Sequence, residues 1–202
     1  LALVLAFACA FTMFAGAASY SDQADIKAGT AVDMLSSLGV INGYTDGTFK
    51  PDVSVTRAEM AKMIFTIING GNDDASAYQN LPTTFKDLTD TWYQGYIKYL
   101  QNSTIIAGTS ATTFEPDKTV TGLEAAKMLL VTAGYDAKKA GLTGTAWAAN
   151  TMRYAQLNNL FEDVDCDINA ALPRQYAAQL IYNALDMVRV VWSNDIEGFK
   201  PA

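Results

Sequence analysis

The chain repeats itself. Shifted by 65 residues, positions 20–66 fall on 85–131 without a gap, and 15 of the 47 positions are identical. Chance gives roughly one identity in 15–20 positions at average composition, so the two stretches are copies of one unit. The identities include Asp22/Asp87, Leu35/Leu100, Ile41/Ile106, Gly43/Gly108, Phe49/Phe114, Pro51/Pro116, Val55/Val120 and Glu59/Glu124. A third, eroded copy follows. At a shift of 55, Trp92 falls on Trp147 and Tyr99 on Tyr154; at a shift of 52, Ala125-Ala126 falls on Ala177-Ala178. The change of offset means that the central loop of the third copy, Glu162 to Asn169, has lost three residues.

Each unit reads helix, loop, helix. Val32, Leu35 and Leu38 recur at helical spacing in the first copy, and Tyr96, Ile97 and Leu100 do so in the second. Gly39 is a helix stop. Asp46-Gly47 marks a tight turn, and Phe49 is the expected plug that ties the loop to the core. A second helix starts at Thr56 and runs to the break at Gly70-Gly71. Thr56 and Glu59 form a capping box, repeated at Thr121 and Glu124. Two helices of this size cannot bury both faces alone. The predicted fold is therefore mainly α, with three helix-loop-helix units around a shared axis. The units span 20–70, 85–135 and 145–187, and residues 188–202 are read as the start of a following segment.

Composition removes several functions. The chain holds no histidine, which excludes Ser-His-Asp and Cys-His catalysis and His-ligated zinc. Its net charge of −7 argues against a general nucleic-acid binder, which needs a basic face. Two cysteines, Cys9 and Cys166, make no disulfide framework. Asp163, Asp165 and Asp167 alternate as in a calcium loop, but Ile168 and Arg174 stand where that loop needs Gly and Glu, so no metal or cofactor is expected. Residues 1–17 carry no charge and end on Ala15-Gly16-Ala17. They read as the apolar core and cleavage site of a secretory signal peptide, truncated at its start, and the mature chain is expected to have no membrane span.

The long loop followed by Val55-Thr56-Arg57-Ala58-Glu59, with Gly43, Asp46-Gly47-Thr48-Phe49-Lys50-Pro51-Asp52 before it, resembles the S-layer homology family. In the second copy the matching residues are Phe85-Lys86-Asp87, Trp92, Gly108, Thr113-Phe114-Glu115-Pro116-Asp117 and Val120-Thr121. The resemblance is strong over residues 20–135 and weak over 145–185. It implies three repeats forming a pseudo-threefold trefoil in one chain. It also implies grooves that hold a secondary cell-wall polysaccharide, often bearing ketal-linked pyruvate, and so fix a secreted protein to the bacterial surface without a covalent bond. The alternative is the anchor part of a surface-layer subunit, self-associating through later sequence, or of a surface glycan hydrolase whose working domain lies beyond Ala202. No catalytic residue is expected within the repeats.

The resemblance points to candidate binding residues. Arg57 occupies the first turn of a helix, where free N–H groups and the dipole favour an anion, and its fork suits a carboxylate. Arg174 is its counterpart in the third unit, where Pro173 and Tyr176 replace the capping pair. Gly122 takes the place in the second unit, so that helix end is expected to contribute little. Asp22 and Asp87 are candidates for bonding sugar hydroxyls, with local capping as the competing role. Trp92 and Trp147 are candidates for stacking on a sugar, with core packing favoured over that. Gly43 and Gly108 either admit a ligand close to the backbone or serve the turn. Thr56, Glu59, Thr121 and Glu124 are structural caps.

Overall fold

The computed structural model describes residues 19–202; the expected signal peptide and Cys9 lie outside them. The chain is mainly helical. Among the described residues six helices run in order: α1 (Gly29–Ser37), α2 (Arg57–Ile68), α3 (Thr91–Asn102), α4 (Gly122–Thr132), α5 (Trp147–Leu157) and α6 (Arg174–Leu185). A hairpin of β1 (Val190–Ser193) and β2 (Gly198–Pro201) follows. Among the described residues no helix is long and apolar enough to cross a membrane.

The sequence signals act where their chemistry demands. Thr56 caps α2: its hydroxyl accepts from the Glu59 N–H at 3.1 Å, and the Glu59 carboxylate accepts from the Thr56 N–H at 2.7 Å. Thr121 and Glu124 repeat this at α4. Gly39 follows α1 with φ +71°, and the equivalent positions Thr104 and Asn159 also take positive φ. The bend after each first helix therefore survives the loss of its glycine. Phe49 and Phe114 are fully buried, each tilted against an aromatic ring that precedes the first helix, Tyr20 and Phe85.

The repeats are joined more tightly to each other than the helical-hairpin reading implies. The main helix pairs cross repeat boundaries: α2 packs on α3, α4 on α5, and α6 returns to α1. Each second helix thus buries its apolar face against the next repeat's first helix, and the last closes on the first. At the centre, three equivalent buried residues exchange backbone hydrogen bonds head to tail. The Val55 N–H donates to the Leu172 carbonyl, Leu172 to Val120, and Val120 to Val55, each at 2.9 Å.

The next repeat's loop also serves each second helix. The Arg57 and Ala58 N–H groups donate to the Lys118 and Pro116 carbonyls, Leu123 to Ile168, and Arg174 and Gln175 to Val53 and Pro51. These bonds satisfy first-turn donors that a helix leaves unpaired.

Residues 188–202 lie on the helical body. The Val190 N–H donates to the Ala133 carbonyl at 2.9 Å. Phe199 packs on Tyr135, Tyr154 and Trp192, with ring centroids 4.8, 5.9 and 5.2 Å away. The approach requires Gly134, whose φ is +104° and whose Cβ, were there one, would lie 2.0 Å from the Val190 carbonyl oxygen.

The ring closes through one polar side chain. α1 has no side-chain cap of its own. Gln175 of α6, buried to 1% exposure, accepts from the Lys27 and Ala28 N–H groups at 2.7 and 3.3 Å and donates to Asp52 at 2.8 Å. Gln175→Leu leaves the buried Ala28 N–H without its partner. It is expected to cost about 1–3 kcal/mol, read as a lower urea midpoint with an unchanged slope.

Candidate functional site

Arg57 is the first residue of α2, yet it belongs structurally to the second repeat's loop. It is 3% exposed. Its Nε donates to the Phe114 carbonyl at 2.8 Å and its Nη2 to the Ala107 carbonyl at 3.2 Å. The guanidinium lies 4.6 Å from the Phe114 ring centroid, and Nη1 stands 3.6 Å from Glu124 Oε1. Burial lowers the Arg57 pKa, while Glu124, Glu115 and Asp87 oppose that shift. The expectation of free helix-terminal N–H groups beside it does not hold. The Arg57 and Ala58 donors go to the neighbouring loop, and that of Glu59 goes to Thr56. Any attraction for an anion here comes from side chains.

Arg57 nonetheless lines a cleft of about 430 Å³ between the second and third repeats. Gly108, Glu124 and Lys127 line it from the second repeat, and Trp147 from the first turn of α5. Lys127 sits one turn beyond Glu124 on α4, half-buried, with Nζ 5.5 Å from the Trp147 ring centroid. Among the described residues it makes no ion pair. Burial first, and the charge of Arg57 second, lower its pKa, with Glu124 opposing. The cleft thus offers an indole face, a desolvated ammonium and the edge of a guanidinium. Its single lining carboxylate, Glu124, is engaged by the Thr121 N–H and Arg57.

The other candidate residues separate by role. Asp22 accepts from the Phe49 and Lys50 N–H groups, both at 2.8 Å; Asp87 accepts from Phe114 and Glu115 at 3.0 and 2.7 Å. These carboxylates hold the far loop against the start of the repeat. For Asp22, burial raises the pKa, but the Phe49 and Lys50 donors outweigh it and the net shift is downward. Trp92 is 42% exposed and meets Tyr93 edge-on, so the favoured expectation of core packing fails for it. Trp147 is half-buried in the cleft wall. A Cβ on Gly43 would lie 2.4 Å from the Tyr20 ring, and one on Gly108 would lie 2.3 Å from the Thr113 carbonyl oxygen and 2.6 Å from the Phe85 ring. The close approach at both glycines is internal.

Arg174 copies Arg57 in outline. Its Nη2 donates to the Asn42 carbonyl, the counterpart of Ala107, and its guanidinium lies 5.1 Å from both Tyr44 and Phe49. Its buried Nε, however, has no partner where that of Arg57 has one. At Gly122 a Cβ would meet Ile168 atoms at 3.1–3.3 Å, so the neighbouring loop fills the space an arginine would need.

Residues 19–61 and 84–126 match the S-layer homology domain family. The first two repeats are S-layer homology domains. A cellulosome-anchoring protein of Acetivibrio thermocellus is 40% identical over 85 residues, covering 42% of this chain and 19% of that protein. A surface layer protein of Brevibacillus choshinensis is 27% identical over 200 residues, covering 96% of this chain and 17% of that protein. A surface-layer 125 kDa protein of Lysinibacillus sphaericus is 39% identical over 126 residues, covering 61% of this chain and 10% of that protein. The chain spans less than a fifth of each of these relatives.

The third, eroded copy shows how its loop survived shortening. Cys166 aligns with the plugs Phe49 and Phe114 and is half-buried against the core. Burial, then Asp167 and Asp165, raise its pKa, so the thiol stays protonated at neutral pH. Pro173 at the N-cap has no N–H for a glutamate to receive, and the Tyr176 that replaces the glutamate is 4% exposed with an unpartnered hydroxyl. Sequence reasoning passed over Lys127. The available signal was its pairing with Lys62 inside the repeated Ala-Lys-Met, a charge kept on an apolar helix face. Gly108→Ala is expected to lower stability by about 1–3 kcal/mol, because the contact at 2.3 Å is with backbone; a thermal melt measures it.

Proposed function

We propose that this region holds its protein on the bacterial cell wall by binding an acidic, pyruvyl-bearing unit of a secondary cell-wall polysaccharide in the cleft at Arg57, Lys127 and Trp147. The protein is a secreted component of the cell surface. The observation that carries the reading is Lys127: a half-buried ammonium without an ion pair among the described residues, set across an indole and beside a guanidinium. Desolvating a cation is costly unless a counter-ion arrives. A carboxylate on a sugar supplies that charge, and the indole offers its face to the sugar's apolar side. The names of the relatives, a cellulosome-anchoring protein and surface-layer proteins, support attachment at the cell surface.

The reading is adhesive. Glycan hydrolysis by the usual route needs two carboxyl groups flanking the scissile bond, and the cleft has one, already engaged. A charge-assisted hydrogen bond contributes about 1.5–3 kcal/mol, so one cleft binds modestly. Many copies on one wall gain through effective concentration.

Co-sedimentation with purified sacculi tests this. Residues 19–202 should pellet with sacculi that keep their secondary polymer and stay in solution when the polymer is stripped. Lys127→Ala should weaken pelleting about tenfold while leaving the melting temperature nearly unchanged. Arg57→Ala should also weaken pelleting, although it is expected to lower stability as well. Equal retention on stripped sacculi rules out the polymer as ligand. The pH dependence has a definite sign. An anion binds the protonated lysine, whose pKa lies below the ordinary lysine value of 10.5. Pelleting should therefore weaken with rising pH before an ordinary lysine would titrate, and Lys127→Arg should move that loss to higher pH.

A further inference from the structure

Three equivalent clefts follow from three repeats, but their charges differ. In the cleft described above the aligned positions hold Arg57, Lys127 and Gly108. Between the first and second repeats they hold Arg174, Lys62 and Gly43. In the third they hold Gly122, Gln179 and Asp163.

We infer that the chain is monovalent: only the cleft between the second and third repeats takes the acidic polymer, because Asp73 neutralises the first and the third lacks the counterparts of Arg57, Lys127 and Trp147. This rests on the polymer reading above. In the first cleft Lys62 Nζ lies 3.0 Å from Asp73 Oδ2 and 5.7 Å from the Tyr96 ring centroid, and the exposed Trp92 meets Tyr93 instead. Asp73 is held there, since its backbone carbonyl accepts from the Tyr96 hydroxyl at 2.8 Å. An arriving carboxylate therefore meets a lysine that already has a counter-ion, beside a like charge. Among the described residues Lys127 has neither an acid partner in an ion pair nor a second aromatic to draw it from its tryptophan. The two lysines shift in opposite directions accordingly. The Lys62 pKa is raised: burial lowers it, and the bond to Asp73 outweighs that. The Lys127 pKa is lowered.

At the third position Gly122 and Gln179 stand where the occupied cleft has Arg57 and Lys127, Asp163 stands at Gly108, and Lys27 takes the place of Trp147. Glu162 and Asp163 also line an open pocket of about 490 Å³ formed by residues 157–188. Gln179 stands at the lysine position and bonds Asn183 at 2.9 Å. An anionic polymer finds neither the arginine nor the lysine and indole of the occupied cleft there. Attachment through two points then requires two copies of the chain.

Calorimetric titration of residues 19–202 with a purified pyruvylated polymer fragment tests the count. The wild type should bind with a stoichiometry of one. Lys127→Ala should weaken that event at least tenfold, and Lys62→Ala should leave it unchanged. Asp73→Asn, which keeps the backbone bond to Tyr96, should add a second and weaker event. A wild-type stoichiometry of two or three, or loss of the event in Lys62→Ala, overturns monovalency and leaves the polymer reading standing. A single event in Asp73→Asn overturns the counter-ion role of Asp73. Absence of binding by folded wild-type protein overturns the polymer reading, and monovalency with it.

Discussion

Three backbone hydrogen bonds at the centre of the molecule set everything else. Val55, Leu172 and Val120 each give an N–H to the next and take one from the last. Each sits two residues before the first residue of a second helix, so the ring fixes where all three helices start. A helix start fixed in this way places its first residue inside the adjoining repeat's loop. That is why Arg57, carried by the first repeat, lies among atoms of the second, and why the cleft draws on all three copies. The bonds are individually modest, at about 0.5–1.5 kcal/mol each in net terms. Their force is geometric: a closed cycle cannot lose one member without moving the other two.

The electrostatics run against the whole-chain average. A chain of net charge −7 would be expected to avoid an acidic polymer at long range. At short range the count differs, because burial strips water from Arg57 and Lys127 and strengthens whatever charge meets them. The acidic residues serve elsewhere. Asp22 and Asp87 hold loops, Glu59 and Glu124 cap helices, and Asp46 is held down to about 2 by Thr48 and Lys50 within its exposed turn.

Much of this was legible in the sequence for identifiable reasons. Helix starts depend on local chemistry, so Thr56/Glu59 and Thr121/Glu124 could be read directly. Phe49 and Phe114 announced themselves as the large apolar residues in otherwise polar loops. What escaped was long-range. Nothing near Ala28 shows that Gln175, 147 residues away, caps its helix. The use of the α2 donors by Lys118 and Pro116 was equally hidden, and it reversed the expected helix-terminal anion site. Trp92 and Trp147 align in sequence yet differ in exposure, which the alignment of the repeats does not reveal. The part of the cleft that escaped, Lys127, is a charged residue on a buried face, and helical periodicity alone assigns such a residue to solvent.

The exchange of Thr-Glu for Pro173-Tyr176 carries a consequence for how such a repeat can change. In the intact box each partner gives the other its reason to be there. Once proline removes the amide hydrogen, a carboxylate three positions on has nothing to receive and only desolvation to suffer, and the phenol that stands there carries no charge to desolvate, although its hydroxyl is left unpartnered. Reverting Pro173 alone to threonine returns one half of the reciprocal pair, a hydroxyl for the Tyr176 N–H; the other half returns only when both positions revert.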